Sequence, residues 1–308
     1  MPFILGTNSI KDTTFNVSNS VRLEDGYFTR QPSSSGSNTT WTFSCWLKRS
    51  VLGIDTVPWG TGYSSPQIDE AMINIGADNK PRFNINVNDT TDVTVQLSRV
   101  LRDVSAWYHI VCACDTTQGT ASNRVKFYIN GTLQTDLATS DYPTQNQSTF
   151  FGDTNKTQII GQQPRASANL IKGYLAEVVY IDGTALDATS FGEFDEDSPS
   201  IWKPKSVTGL TFGTNGFYHQ YKQSGTGTNA SGFGADTSGN GNHFASNNLA
   251  STDQSTDTCT NNFCTLNVLS ADEMTFTEGA LHVDQASDDD GGARSDDNAR
   301  GTMGVNSG

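Results

Sequence analysis

An all-β fold of antiparallel strands is what this sequence predicts, and three observations predict it. Residues Trp107 to Asp115 (Trp-Tyr-His-Ile-Val-Cys-Ala-Cys-Asp) alternate bulky with small or polar side chains, the period of a strand with one buried face. A second such run, Val125 to Ile129, ends in Asn130-Gly131 before Thr132-Leu133-Gln134 turns back. Asn-Gly between strand-like runs signals a type I′ hairpin, because both central residues need positive φ. Third, 34% of the 308 residues are hydrophobic and 29 are glycine. That balance suits many turns and strands that show water on one side.

In chain order, residues 1 to 20 are polar with isolated apolar anchors (Phe3, Ile4, Leu5, Ile10, Phe15, Val17) and read as an arm or an edge strand. Ser20 to Thr29 alternates, and Gln31 to Thr40 is a Ser/Gly/Asn loop. The strand Trp41 to Arg49 places Trp41, Phe43, Cys45 and Leu47 on one face and Trp46 on the other. Val51 to Gln67, interrupted by Pro58, Gly60, Gly62 and Pro66, reads as irregular. Three strands follow, Ala71 to Gly76, Pro81 to Val87 and Thr91 to Leu97, with Asp78-Asn79 and Asn88-Asp89 as turns. After the meander, Thr135 to Gln158 is polar and loop-like, with Phe150-Phe151 tucked into the sheet. Thr157 to Gly161 is a short strand, Ile171 to Gly183 a long one, and Asp187 to Phe194 has room for one helical turn. Beyond Trp202-Lys203-Pro204-Lys205 the composition shifts. Gly209 to Tyr221 keeps aromatics, whereas Gln223 to Thr260 is nearly devoid of aliphatics and must lie along another surface or stay mobile. Leu281 to Gly308 is rich in aspartate (Asp284, Asp288, Asp289, Asp290, Asp296, Asp297) and reads as a solvated linker.

Three of these strands carry a family resemblance. Trp41 to Arg49, the Trp107 to Gly131 hairpins and Ile171 to Gly183 resemble, in order, the core strands of the concanavalin A-like jelly roll in its laminin-G-like branch. The implied fold is a jelly roll sandwich over residues 21–205, followed by an extended Gly/Asn/Ser-rich segment, 206–267, that packs on the sandwich or on a neighbour. Residues 1–20 precede it and an acidic linker, 268–308, follows. A second series extends the resemblance: Phe191-Gly192-Glu193, Trp202-Lys203-Pro204-Lys205, Asn215-Gly216-Phe217-Tyr218, Ser238-Gly239-Asn240-Gly241-Asn242 and Thr260 to Asn267. It is similar to a module of virion structural proteins of tailed phages, marine ones especially; Cys259 stands where that module usually shows proline. The end, Gly301 to Gly308, resembles the entry into a further sandwich module of the SPRY type, so the chain is expected to be the N-terminal part of a longer polypeptide.

Charge narrows the partners. The net charge of −14 disfavours nucleic acid and anionic membranes, which need basic patches. No apolar run is long enough to span a bilayer, and Met1 to Thr7 lacks the basic and apolar regions of a secretory signal peptide. Of the five cysteines, Cys45, Cys112 and Cys114 fall in strands and read as small buried hydrophobes. Cys259 and Cys264 are close enough in sequence to pair across a short loop, but the odd count without a signal peptide favours reduced thiols and folding in a cytosol.

Fold alone does not select an activity. Glu193-Phe194-Asp195-Glu196-Asp197 has the alternating carboxylates of a retaining glucanase, but its neighbours read as a loop rather than a central strand. His109 reads as a hydrogen-bonded sheet histidine rather than a base. Calcium is the cofactor to consider, with Asp236, Asn240 and Asn242 as loop oxygens. The same run reads as a chain of Asx turns with Gly239 and Gly241 at positive φ, which is preferred because no carboxylate pair is fixed by the spacing. For a glycan, Trp59 and Tyr63 sit among Gly, Ser and Pro as aromatic platforms or, alternatively, as loop anchors packed on a sheet edge.

With the resemblance, these features imply a non-enzymatic phage virion protein of a tail fibre, spike or capsid surface. It would be made in the host cytoplasm and displayed on the particle. Its roles would be assembly, display and multivalent binding of host-surface carbohydrate. Its partners would be other virion proteins and copies of itself, a trimer being one arrangement. Two other readings stand beside it: a polysaccharide hydrolase of the same fold, and a purely structural capsid decoration or docking protein.

Overall fold

A computed structural model describes residues 15–62, 69–164, 169–268, 274–285 and 300–302. The anchors Phe3, Ile4, Leu5 and Ile10, the aspartates 288–297 and the end from Met303 lie outside the described residues.

Strands run in chain order as β1 (Ser20–Leu23), β2 (Tyr27–Arg30), β3 (Thr40–Arg49), β4 (Thr56–Gly62), β5 (Glu70–Ile75), β6 (Pro81–Val87) and β7 (Thr90–Leu97). The meander supplies β8 (Trp107–Asp115), β9 (Val125–Ile129) and β10 (Thr132–Leu133), then β11 (Leu137–Asp141), β12 (Thr157–Ile160) and β13 (Gly173–Asp182). Shorter strands follow: β14 (Gly192–Phe194), β15 (Trp202–Pro204), β16 (Phe217–His219), β17 (Ala245–Asn247), β18 (Gln254–Ser255), β19 (Met274–Thr277) and β20 (His282–Gln285).

Two eight-stranded antiparallel sheets form a sandwich. The first has the order β10-β9-β8-β3-β13-β1-β18, with β16 also paired to β13; the second runs β11-β7-β6-β5-β4-β12-β2-β17. The fold expected from the sequence is therefore the one observed. Asn130 and Gly131 both take positive φ (47° and 78°), as the type I′ reading requires. In β13 the register shifts between Ala176 and Val179, and Glu177 sits in this bulge at φ 49°. The irregularity leaves β1 paired to Gly173–Leu175 and β16 to Val178–Tyr180 of the same strand.

The inner faces meet in one core. Trp41, Phe43, Phe83, Phe127, Phe151 and Leu175 belong to it, and so do the later residues Phe217, Tyr221, Phe233 and Phe244. Residues 217–255 thus lie along the sandwich and contribute side chains to its interior. A second apolar layer (Trp46, Val111, Tyr174, Phe191, Trp202, Phe212 and Cys259) covers the outer face of the first sheet.

Four expectations need correction. Val51 to Gln67 is not irregular throughout, since Thr56–Gly62 is a fully buried strand. Pro58 is tolerated because the ladder shifts register between Thr56 and Trp59. A Cβ on Gly60 or Gly62 would meet Pro164 at 2.8 or 2.9 Å, so a crossing chain fixes these glycines. Leu137–Asp141, inside the expected loop, is the edge strand beside β7. Gly192–Phe194 pairs with Trp202–Pro204 as a two-stranded ribbon rather than a loop. The stretch expected to be acidic linker holds the β19–β20 hairpin, whose turn receives a 3.0 Å hydrogen bond from the Tyr174 hydroxyl to Gly279 O.

Candidate functional site

Strands β5 and β6 send Ala71, Ile73, Ile75, Phe83 and Ile85 into the core. Alternation therefore sends Glu70, Met72, Asn74, Arg82, Asn84 and Asn86 to the outer face of the second sheet. The register pairs Glu70 with Asn86, Met72 with Asn84, and Asn74 with Arg82. Thr94 and Gln96 of β7 continue the face beside Asn84 and Arg82. On the other side, Gly60 and Gly62 let Pro164 lie against the sheet as a wall.

The polar groups here are only partly satisfied. Glu70 is 1% exposed; its carboxylate accepts from Asn86 Nδ2 at 2.7 Å and from Gln163 Nε2 at 3.0 Å. Asn169 in turn donates to Gln163 Oε1 at 2.6 Å. Arg82 donates to Asp55 at 2.7 Å. By contrast, the amide oxygens of Asn74, Asn84 and Asn86 are buried without a hydrogen-bond partner, and Asn74 as a residue is 3% exposed. A buried acceptor left unpaired costs about 1–3 kcal/mol. The face is therefore a rigid grid of acceptors beside an apolar Met72, with strands about 4.8 Å apart. Each of the three oxygens is closed to solvent, so a hydroxyl donor reaches them only where the covering chain moves aside. The alternation Asn84-Ile85-Asn86 signalled an outward polar face in the sequence; that the oxygens would be unpaired was not readable there.

The sequence-predicted residues fall elsewhere. Trp59 is not a surface platform. It is fully buried, stacked on Phe43 (ring centroids 5.0 Å apart, 6° between planes) and on Phe151 (3.8 Å, 12°). The strand buries it because Trp59 has the inward parity of β4 while Gly60 and Gly62 face out. Tyr63 lies outside the described residues.

Asp236, Asn240 and Asn242 do come together, at the loops following β16. Asp236 accepts from the backbone N–H groups of Tyr218, Ser238 and Asn242 and from the Ser238 hydroxyl, all at 2.8–2.9 Å. Asn240 and Asn242 both donate to Gly216 O, at 2.9 and 2.8 Å. Asn242 Oδ1 accepts from Arg30. Gly239 and Gly241 take φ 96° and 72°. The run is a set of interlocked turns in which the side-chain oxygens of Asp236 and Asn242 face protein donors, and among the described residues no group of three His, Cys, Asp or Glu could hold a metal ion.

In the acidic run, Asp195 Oδ2 lies 3.1 Å from Lys203 Nζ and Glu193 Oε1 3.8 Å from it. The Lys203 hydrogen bond, with smaller help from the turn amides of Ser198 and Asp197, holds the Asp195 carboxyl below its usual range. His109 lies between Trp46 and Trp202, with ring centroids 4.9 and 5.9 Å away. It accepts from Trp202 Nε1 at Nδ1 and bonds Ser44 Oγ through Nε2, both at 2.9 Å. Since Trp Nε1–H can only donate, the proton of the neutral ring sits on Nε2. Burial lowers the pKa of His109 to about 3. It is a sheet histidine, as expected.

A family profile described as the concanavalin A-like lectin/glucanases superfamily matches residues 21–190. No curated protein sequence matches the chain. Among solved structures, the chain is similar to a heptameric SAP-like pentraxin from Limulus polyphemus (14% identity, 56% of this chain and 80% of that one, TM-score 0.38). It is similar to a candidate carbohydrate binding protein from Bacteroides ovatus ATCC 8483 (12% identity, 77% and 60%, TM-score 0.44). A third is the CBM40 of the Ruminococcus gnavus IT-sialidase bound to α2,3-sialyllactose (14% identity, 51% and 89%, TM-score 0.33).

Proposed function

The chain belongs to the concanavalin A-like lectin/glucanases superfamily through residues 21–190, and we propose that it acts there as a non-catalytic, glycan-binding structural module. One observation carries the reading: three buried amide oxygens, of Asn74, Asn84 and Asn86, stand unpaired on one sheet face. A polyhydroxylated ligand would supply the missing donors once the cover over these oxygens opens, with Met72, 7% exposed at the centre of the grid, as an apolar contact for a sugar ring. The pairing of Asp195, and more loosely of Glu193, with Lys203 on a two-stranded ribbon outside the main sheets supports this reading over a hydrolase. The phage-module resemblance between Phe191 and Asn267 supports a setting on a virion surface, where repeated copies turn weak single sites into firm attachment. Antibody-labelled electron micrographs of particles test that setting, and absence of label from particles removes it.

The binding test is a glycan array followed by calorimetry on the wild type and an Asn74→Leu/Asn84→Leu double variant. Leucine keeps the side-chain volume and removes the unpaired acceptors. Loss of two ligand hydrogen bonds, each about 0.5–1.5 kcal/mol, weakens binding roughly 5- to 150-fold. The variant keeps or gains stability, since an unpaired buried acceptor no longer opposes folding. Unchanged affinity in the double variant, or a wild type that binds no glycan, overturns the reading.

A further inference from the structure

On the opposite side of the sandwich, a lysine, an aspartate and an asparagine are buried together where the chain after β18 crosses the outer face of the first sheet. Lys48, on β3, is 0% exposed, Asp257 3% and Asn262 6%. Lys48 Nζ lies 2.8 Å from Asp257 Oδ2, 2.8 Å from Asn262 Oδ1 and 2.7 Å from Phe263 O. The other Asp257 oxygen is occupied by Trp107 Nε1 at 3.0 Å and Phe263 N at 3.3 Å. Asn262 Nδ2 donates to Ser105 O at 2.7 Å, which turns the amide oxygen toward Lys48. The Tyr174 ring closes one side, 5.9 Å from Nζ.

We infer that Lys48 and Asn262 become joined by an intramolecular isopeptide bond, formed by the protein itself with Asp257 transferring the protons. The geometry places an amine, an electrophile and a base in contact. Because a C=O bond is about 1.2 Å long, an amide oxygen 2.8 Å from Nζ puts the carboxamide carbon within about 4 Å of it. Asp257 Oδ2 is placed to take a proton from the Lys48 ammonium. The neutral amine then attacks Cγ of Asn262 and forms the Nζ–Cγ bond. Asp257 returns its proton to the departing Nδ2 as the Cγ–Nδ2 bond breaks, and the second Nζ proton passes through the same carboxylate to the released ammonia, leaving a neutral secondary amide and an ammonium ion. In total, one ammonium and one carboxamide give one secondary amide and one ammonium ion, with no oxidant or cofactor required. Burial, only partly opposed by Asp257, lowers the Lys48 pKa and so favours the nucleophilic amine. Holding the groups at contact distance makes the reaction effectively unimolecular. The bond would tie β3 to a residue 214 positions later.

The test is peptide mapping by tandem mass spectrometry of the full chain, digested after denaturation. The expected product is a branched peptide uniting the Lys48 and Asn262 segments, lighter than the two linear peptides by one ammonia. Lys48 should also resist cleavage by trypsin. Linear peptides with free Lys48 and intact Asn262 overturn the inference, and this map of the unaltered chain decides the bond whatever the variants do. An Asp257→Asn chain, near-isosteric, is expected to keep its circular dichroism spectrum and yield only linear peptides. A branched peptide from that variant overturns the role given to Asp257.

Discussion

Replacing Trp59 with alanine should destabilise the whole sandwich rather than disable a surface. Its indole is 0% exposed. Beyond the Phe43 and Phe151 stacks it meets Tyr180 at 4.5 Å and Trp41 edge-on at 5.7 Å. Truncating a buried Trp costs about 3–5 kcal/mol through lost transfer energy and the residual cavity. Each well-placed aromatic pair adds about 0.5–1.5 kcal/mol beyond its area. With two parallel stacks broken, the expected loss is about 5 kcal/mol, a large part of the roughly 5–15 kcal/mol that holds a domain folded. The neighbours offer little relief, because Trp41, Phe43 and Phe151 are themselves buried in strands or pinned loops; Trp41 Nε1 donates to Thr149 Oγ1 at 2.8 Å. The assay is urea unfolding followed by circular dichroism, with Trp59→Phe as the graded control, expected to lose less than half as much. A Trp59→Ala protein within about 1 kcal/mol of wild type that had lost only glycan affinity would refute the core assignment and restore the surface reading.

Other outcomes follow from the same contacts. Asp236→Ala should cost roughly 2–4 kcal/mol, since it leaves four donors of the Tyr218–Asn242 turns without their acceptor. A chelator should leave the melting temperature of the wild type unchanged, and a calcium-dependent melting temperature would contradict the turn reading. Stability should also fall with acid. His109 and His219 are held neutral by burial, at about 3 and about 4 against an ordinary 6.5. The unfolded chain therefore binds protons first as pH drops, so their contribution is complete above pH 6.5 and is lost toward pH 3. For His109 alone this is on the order of 5 kcal/mol at 1.36 kcal/mol per unit. Glu177 works in the opposite sense: burial raises it to about 7, so its neutral form favours the fold most at acid pH and that advantage fades as pH rises from 4.5 to 7. The two trends oppose each other between pH 4.5 and 6.5, and the steep loss is expected below pH 4.5. Urea titrations at stepped pH check this, and a flat profile from pH 7 to 3.5 would contradict the buried histidines.

Much of the sandwich was readable because period and turn chemistry agree locally. β3, β6, β8 and β9 fall where alternation put them, and Asn130-Gly131 adopts the backbone its residues favour. β4 was hidden because Pro58, Gly60 and Gly62 are local breakers; Pro164, a hundred residues away in sequence, and the adjacent Met72 and Glu70 explain the glycines. The same gap misplaced Trp59, whose burial depends on a strand that the local sequence disguises. At the site, Asn84 and Asn86 were legible as outward polar positions, but pairing is a tertiary property: Asn86 spends its amide nitrogen on Glu70 and leaves its oxygen unpaired. Sparse aliphatics after Gln223 made that segment look unable to enter a core, yet Phe233 and Phe244 fill inner positions because the sandwich supplies the rest of their contacts.

The late strands also set a timetable for synthesis. β18 pairs with β1 and β17 with β2, and the Ser20 hydroxyl donates to Asp257 O across 237 positions at 2.6 Å. On the ribosome, the first strands of both sheets emerge long before their edge partners exist. A nascent chain halted near residue 205 holds Phe28 without Tyr221 and Phe233, the aromatic rings that pack against it at 5.6 and 5.8 Å. Non-local pairing of this kind slows folding, because the closure entropy must be met before the contacts form. Assembly of the sandwich is thus deferred until residues 217–255 have emerged, and the unfinished intermediate exposes aromatic surface that chaperones can recognise.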